Sequence, residues 1–312
     1  MVTNLEHLER WAVLVTVHNR ADYTLRCLGR LYAAEAASGG RVTADVYLTD
    51  DGSTDGTAGA VATQFPRVRI LPADGSLFWT RGMVRAWRAA VGGDYDAYLL
   101  LNNDTFLGPE SFGELLAAQR YMREAFGTEG IAVGCTCQGV DEGDGTAAVG
   151  GVLPRPGEAP TSYGGSLVTN RRTLDMRLME ADGTHRMCDF GNANAMLVSR
   201  AVVDRIGIMW DGYAHGHGDY EYTHRARRAG LPVVTTRGFC GVCRNDHQNR
   251  MALLARLPVG ARWRYLWRPS GYGLADMLRF LWRNFPSRIP VVLYVTAKRL
   301  CGIDPQRGRR EP

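Results

Sequence analysis

Three acidic clusters stand out by residue type and spacing: Asp50-Asp51-Gly52-Ser53-Thr54-Asp55-Gly56, Asn102-Asn103-Asp104, and Gly218-Asp219-Tyr220-Glu221 with Arg225 just beyond it. Carboxylates can hold a hard divalent cation or take up a proton. Each cluster taken alone also fits a plainer role. Asp-Asp-Gly-Ser suits a turn with Thr54 or Asp55 capping the next helix, Asn-Asn-Asp suits an Asx-turn after a strand, and Asp219 suits a first-turn carboxylate favoured by the helix macrodipole. Arg81, Arg85 and Arg88 recur at i, i+4 and i+7 and so share one helix face. Cys240-x2-Cys243-x3-His247 has zinc-like spacing, but a fourth ligand could come only from Cys188, His215 or His217. The cysteines therefore read as buried thiols on a strand.

Position along the chain decides between these readings. Trp11 to Val17 is a continuous apolar run of the kind a buried parallel strand shows, and it stops at His18-Asn19-Arg20. A helix is expected from Asp22, a second strand from Ala44 to Thr49 running into the Asp50 cluster, and a helix from Thr57. A short strand from Val68 to Leu71, a helix from Thr80 to Val91 and a strand from Ala97 to Leu101 follow, the last ending at Asn102. Polar residues thus gather at the carboxyl ends of successive strands, which in an open α/β sheet is the ligand-binding edge. Between about Gly139 and His185 the pattern breaks into Gly, Pro, Asp and Thr, with a strand candidate at Gly165 to Thr169, as an insertion over one sheet edge would. Ala193 to Val198 reads as a strand, and Asp219 to Ala229 as a helix closed by Gly230 with Pro232 beyond.

A chain of 312 residues, 45% of them apolar, can bury a large core, so one large domain or one domain with an appendage is expected. The net charge of +5 is carried almost wholly by arginine, since Lys298 is the single lysine; arginine's planar fork suits phosphate and carboxylate ligands. No apolar run reaches the roughly 18 residues of a spanning helix, and the first residues lack signal-peptide character, so a cytoplasmic protein is expected. Seven scattered cysteines point to reduced thiols.

The ordered set VTVHNR (15–20), TDDGSTDGT (49–57), LNNDT (101–105), GNANAML (191–197) and GDYEYTHRARRAG (218–230) resembles the family 2 glycosyltransferases over roughly residues 11–245. The resemblance implies a GT-A fold, an α/β architecture with a Rossmann-like mixed sheet flanked by helices. It also implies inverting transfer of a sugar from a UDP- or dTDP-linked donor to a hydroxyl acceptor, with Mn²⁺ or Mg²⁺ as cofactor. On this likeness Asp104 is the metal ligand and Asn103 a ribose or metal-water contact, and His247 is a second metal ligand from the C-terminal region. Asp51, with Asp50 beside it, reads the nucleobase; Thr16 and His18 line the base, and Arg20 and Asn192 belong to the matching motifs. Asp219 is the general base, and Glu221 orients the acceptor or pairs with Arg225. Gly75 to Met83 resembles the segment placed beneath the donor, with Trp79 there and Arg81 meeting the diphosphate near a helix N-terminus. The family often has two aspartates where Asn103-Asp104 stands and a glutamate where Gly218 stands.

Residues 1–247 are thus expected to form the catalytic domain, with 139–185 on the acceptor side, and 248–312 a C-terminal helical extension with a basic tail. Leu274 to Phe285 alternates apolar and cationic residues at helical spacing. It is expected to pack on the catalytic domain, with an in-plane membrane helix serving a lipid-linked acceptor, or a homo-oligomer contact, as the rivals. The FWTRGM and C-terminal segments resemble bacterial rhamnosyltransferase-like enzymes of cell-surface polysaccharide synthesis; glycolipid or natural-product acceptors are also compatible. The competing reading is a catalytically silent sugar- or nucleic-acid-binding module. Intact Asp51, Asp104 and Asp219 weigh against it, and nucleic acid is not the expected partner.

Overall fold

A computed structural model describes residues 8–138, 153–244 and 257–300. Strands β1 (Glu9–Val17), β2 (Val42–Asp51), β3 (Arg69–Ala73) and β4 (Ala97–Leu101) run parallel. Beyond β4 the main sheet becomes mixed. β11 (Ala195–Ser199) runs antiparallel between β4 and β6 (Ile131–Cys137), while β12 (Val233–Val242) is parallel to β6 and carries register shifts between Thr235 and Gly241. β5 (Phe106–Leu107) closes the far edge against β12, and β7 (Thr161–Tyr163) pairs with β6 off the main path. The order across the sheet is therefore β3-β2-β1-β4-β11-β6-β12-β5.

The apolar run of β1 is continuous because both faces of the sheet are covered. Trp11, Val13 and Val15 pack on one side with Leu28 and Leu31 of α1 (Ala21–Ala37) and Phe112 and Leu115 of α4 (Ser111–Phe126). Ala12 and Leu14 face the other side, against Met83 and Trp87 of α3 (Phe78–Ala90), Val202 of α5 (Arg200–Ile206) and Tyr222 and Ala226 of α6 (Gly218–Arg228). The short α2 (Thr57–Gln64) lies on the first side through Val61. Two glycines set how closely these layers meet: a Cβ on Gly82 would stand 2.4 Å from Thr16 Cγ2, and one on Gly218 would stand 2.6 Å from Thr80 Cγ2. The helix that starts at Gly218 therefore has no room for the larger residue often found at that position.

Parallel pairing aligns the strand ends. Thr16 pairs with Thr49 and Val17 with Asp50, and Leu14 pairs with Leu100, so residues 16–20, 50–51 and 102–104 emerge along one edge. Because β11 is antiparallel, with Ala195 opposite Leu101, the segment preceding it arrives at the same edge. α6 ends as expected at Gly230, with φ +79°. Gly230 N–H donates to the Arg227 carbonyl and Leu231 N–H to that of Ala226, a Schellman closure.

In a second small sheet, β8 (Gly165–Asn170) and β9 (Asp175–Leu178) fall within the expected insertion and β10 (Phe190–Gly191) just beyond it, while β7 of the insertion joins the main sheet. Three helices follow residue 257: α7 (Val259–Trp267), α8 (Leu274–Asn284) and α9 (Ile289–Leu300). Phe280 and Leu281 of α8 bury against Phe190 and Tyr213, so the helix packs on the body of the protein.

Candidate active site

The shared strand edge opens into a cleft of about 640 Å³. Its walls include Thr16, His18 and Arg20 after β1, Asp51 after β2, Phe78 and Trp79 at the start of α3, Asn102 to Asp104 after β4, Asn192 to Asn194 before β11, and His215 to His217 with Asp219 and Tyr220 at the start of α6. Tyr163 from β7, and Arg268 and Ser270 after α7, complete it.

The carboxylate of Asp51 is buried and organises one wall. Its Oδ1 accepts from the N–H groups of Gly75 (3.0 Å) and Leu77 (3.2 Å), and its Oδ2 from that of Phe78 (2.8 Å). This anchors the turn into α3, where Phe78 takes φ +57°, and seats Trp79 so that its Nε1–H donates to Asn102 Oδ1 at 2.7 Å. The Asp51 carbonyl lies 2.6 Å from His18 Nδ1, and since a carbonyl only accepts, Nδ1 carries the proton. Thr16 Oγ1 is buried without a hydrogen-bond partner, a polar atom left to a ligand or water.

Opposite this wall, Asp104 extends from the end of β4. Its Oδ2 receives Arg20 Nη1 at 3.2 Å, and Cys243 Sγ stands 3.9 Å from its Oδ1. Asn103 Nδ2 donates to Thr24 Oγ1 at 3.1 Å. The backbone N–H of Asn102 donates to the carbonyl of Asn194 at 3.1 Å, which ties the β4 end to the segment preceding β11. Among the described residues no group of three His, Cys, Asp or Glu side chains converges as a metal cage. Asp104 is a single hard oxygen donor of the kind that a Mg²⁺- or Mn²⁺-type cation takes, and would be the one carboxylate to hold such an ion among the described residues. His247, the expected second ligand, lies outside the described residues.

Asp219 sits in the first turn of α6, facing the cleft. Burial pushes its carboxyl up to about 6, against the opposing effect of N–H donors from Tyr220 (2.9 Å to Oδ1) and Ala193 (3.3 Å to Oδ2) and of Asn192. A carboxylate so raised is ionised at neutral pH yet basic enough to take a proton from a hydroxyl. Asn192 Nδ2 also reaches Tyr220 OH at 3.4 Å.

Four residues expected in the site do not reach this cleft. Asp50 Oδ1 accepts from the Ser53 N–H at 3.0 Å within the turn after β2. Arg81 opens on the outer face of α3, in a separate groove with Arg85, Arg88 and Asp211, and its Nε donates to the Asp211 carbonyl at 3.3 Å. α3 turns Trp79 toward the cleft and its arginine face away from it, so Arg81 lies outside the cleft. Glu221 is buried beneath α6, paired with Arg225 at 3.5 Å and Arg283 of α8 at 3.2 Å. Arg225 donates from its two Nη atoms to the carbonyls of Ile206 (2.7 Å) and Ile208 (2.9 Å), bracing the turn after α5. The pairing expected of Glu221 and Arg225 is present.

Other residues enter the site without an expected role. His215, His217, Tyr163 and Arg268 line the cleft from outside the matching motifs, and Asn102 and Asn194 line it from within LNNDT and GNANAML. The loop holding His215 is fixed by Asp276 of α8, a buried carboxylate that accepts from the N–H groups of Ala214 (3.1 Å to each oxygen), His215 (2.9 Å) and Gly216 (3.3 Å). Thr80 closes the other side, its N–H donating to the Ala214 carbonyl (3.0 Å) and its Oγ1–H to that of His215 (3.1 Å). Cys240 is buried on β12 and Cys243 directly after it, Cys243 beside Asn194 at 3.2 Å.

The family model for glycosyltransferase like family 2 matches residues 9–265. No curated protein matches the chain. Among solved structures, a mannosyltransferase from Pyrobaculum calidifontis, in complex with GDP-Man and Mn²⁺, is 14% identical with a TM-score of 0.51, over 98% of this chain and 77% of that one. GalNAc-T7 with UDP, GalNAc and Mn²⁺ is 11% identical with a TM-score of 0.49, over 76% of this chain and 44% of that one.

Proposed function

The chain belongs to the family 2-like glycosyltransferases and has their GT-A fold, and from this premise we propose that its cleft performs an inverting, cation-assisted sugar transfer from a UDP- or dTDP-sugar to a hydroxyl acceptor. The observation that carries the reading is the pairing of two carboxylates in one cleft: Asp104 at the end of β4, and Asp219 at the start of α6 with its carboxyl raised to about 6.

In this reading the nucleoside lies against the wall built by Thr16, His18 and the Asp51-anchored turn, with Trp79 beneath the donor. Asp104 would hold a Mn²⁺ or Mg²⁺ ion, which when bound offsets the charge of the diphosphate as it leaves. Asp219 takes the proton from the acceptor hydroxyl as that oxygen bonds to the anomeric carbon; the bond from that carbon to the diphosphate breaks on the opposite face, and the electron pair leaves with the nucleoside diphosphate. Asn192 and the Ala193 and Tyr220 amides hold the Asp219 carboxylate toward the cleft. Arg20 pairs with Asp104 in this structure, and with a diphosphate bound beside Asp104 it would exchange one anion for the other.

The test is a screen of nucleotide sugars for turnover with and without Mn²⁺, on the parent chain and on Asp219→Asn. The proposal expects cation-dependent turnover of a UDP- or dTDP-sugar that Asp219→Asn lowers by about 10²-fold or more, with donor binding retained. Full activity in Asp219→Asn would overturn the base assignment. Tight, salt-sensitive nucleic-acid binding without turnover of any donor would replace the enzyme with a binding module.

A further inference from the structure

The C-terminal helices present a surface that the catalytic reading leaves unexplained. Residues 257–300 carry eight arginine or lysine residues and a single acid, Asp276, which is buried and engaged with backbone amides and Arg279. The same stretch holds the most exposed aromatic side chains of the described residues: Trp282 at 75%, Trp263 at 63% and Tyr294 at 60%. Large aromatic rings rarely stand this far into water without a use, and here several do so among positive charges.

The exposure is patterned. On α7 and its C-cap residue Arg268 the open positions are 260, 263, 264, 267 and 268, one helical stripe in which Trp263 and Trp267 alternate with Arg264 and Arg268, and the two indoles touch at 5.8 Å between centroids. On α9 the open positions 290, 291, 293, 294 and 297 form an apolar stripe with Leu293 and Tyr294 at its centre, and the Lys298 ammonium lies 4.5 Å from the Tyr294 ring. Indole, phenol and arginine side by side suit the headgroup layer of a bilayer: rings sit at the acyl boundary and guanidinium groups meet lipid phosphates. No helix of the described residues is long and apolar enough to cross a membrane, so such contact would be in the plane of the surface.

We propose that α7, α8 and α9 dock the protein on an anionic lipid bilayer. The docking surface runs into the cleft, because Arg268 and Ser270, directly after α7, form part of its wall. An acceptor hydroxyl carried by a lipid would enter there, a consequence that rests on the proposed transfer; the docking itself does not.

The experiment is co-sedimentation of the full chain with vesicles of phosphatidylcholine alone or mixed with phosphatidylglycerol, at low and high salt, with tryptophan emission read in parallel. Expected are binding to the mixed vesicles only, a blue shift of emission on binding, and release by salt. Two variants divide the contributions: Trp263→Ser/Trp267→Ser/Trp282→Ser removes the rings, and Arg264→Glu/Lys298→Glu reverses charge. Each should bind at least about tenfold more weakly while keeping the circular-dichroism spectrum of the parent. The proposal is overturned if the parent stays in the supernatant with anionic vesicles at low salt. It is equally overturned if both folded variants bind like the parent, or if the parent self-associates through Trp282 and ignores vesicles, which would make a second copy the occupant. Loss of docking with turnover intact would leave the transferase reading standing. Docking without turnover would do the reverse.

Discussion

Asp276 lies 57 residues after Asp219 in the chain and has no place in the chemistry, yet its removal should be felt in the cleft. Its two oxygens accept from three successive backbone amides, of which Ala214 is buried and His215 and Gly216 border the cleft. Replacing it by alanine strands those donors. A buried amide left unsatisfied costs about 1–3 kcal/mol, and the two nearer the opening can be partly rescued by water, so the loss for Asp276→Ala should be about 3 kcal/mol. At about 2–4 °C per kcal/mol for a domain of this size, the melting temperature should fall by about 6–12 °C. Asp276→Asn keeps one acceptor oxygen and should lose about half as much. Differential scanning calorimetry measures the fall, and titration with a donor sugar and Mn²⁺ reads the cleft: the His215 loop should loosen and slow transfer more than it weakens donor binding. A melting temperature of Asp276→Ala within about 1 °C of the parent would refute the idea that α8 pins this loop.

The folded carboxyl of Asp219 lies near 6, above the usual value near 4, so the transfer rate should fall as pH drops through about 6 and the base becomes protonated; a pH–rate profile flat down to pH 5 would contradict this. The raised value also means that ionised Asp219 works against folding: its relative stabilisation is full below the unfolded pKa and is lost as pH rises through about 6. Asp219→Asn should therefore melt higher than the parent at pH 8, and the gap should close at pH 4. Asp104→Ala should abolish the Mn²⁺-dependent part of donor binding in calorimetric titration while leaving the metal-free part within about twofold, since it removes the ligand and also releases Arg20. Gly82→Ala, whose new methyl would meet Thr16 Cγ2 at 2.4 Å, should destabilise by about 1–3 kcal/mol in urea unfolding and weaken nucleoside binding on the same wall.

The parts of the fold legible in the sequence are those in which local pattern and global role coincide. β4 is predictable at its observed bounds because an apolar run ends abruptly in Asn-Asn-Asp, and the end of α6 is marked by Gly230. Between Asp104 and Gly139 the sequence pattern announces no element, and there the structure has β5, α4 and β6. β6 is buried on both faces and interrupted by Gly134, so IAVGCTC shows no alternation, and the buried stripe of α4 includes Ser111 and Gln119, which dilute its apolar signal. In the cleft, residues at strand ends are legible because the sheet puts them there. Those on helices are less so, because periodicity groups residues on a face without fixing which way the face turns: Arg81, Arg85 and Arg88 do share a face, and it looks away from the cleft. Glu221 is beyond reach for another reason. Its second partner, Arg283, comes from a helix 62 positions on.

The antiparallel strand β11 has a consequence for how such a protein can change. By lying against β4 with Ala195 opposite Leu101, it clamps the Asp104 end of the cleft to the segment beside Asp219 through a single strand pair, whatever the chain does in between. Beyond β6, the excursion described over residues 153–189 carries β7, with Tyr163 at the cleft wall, and most of the small second sheet. This excursion can lengthen, shorten or be exchanged without altering the distance between the two carboxylates. A lineage built on this frame can thus remodel what it recognises while inheriting its chemistry unchanged.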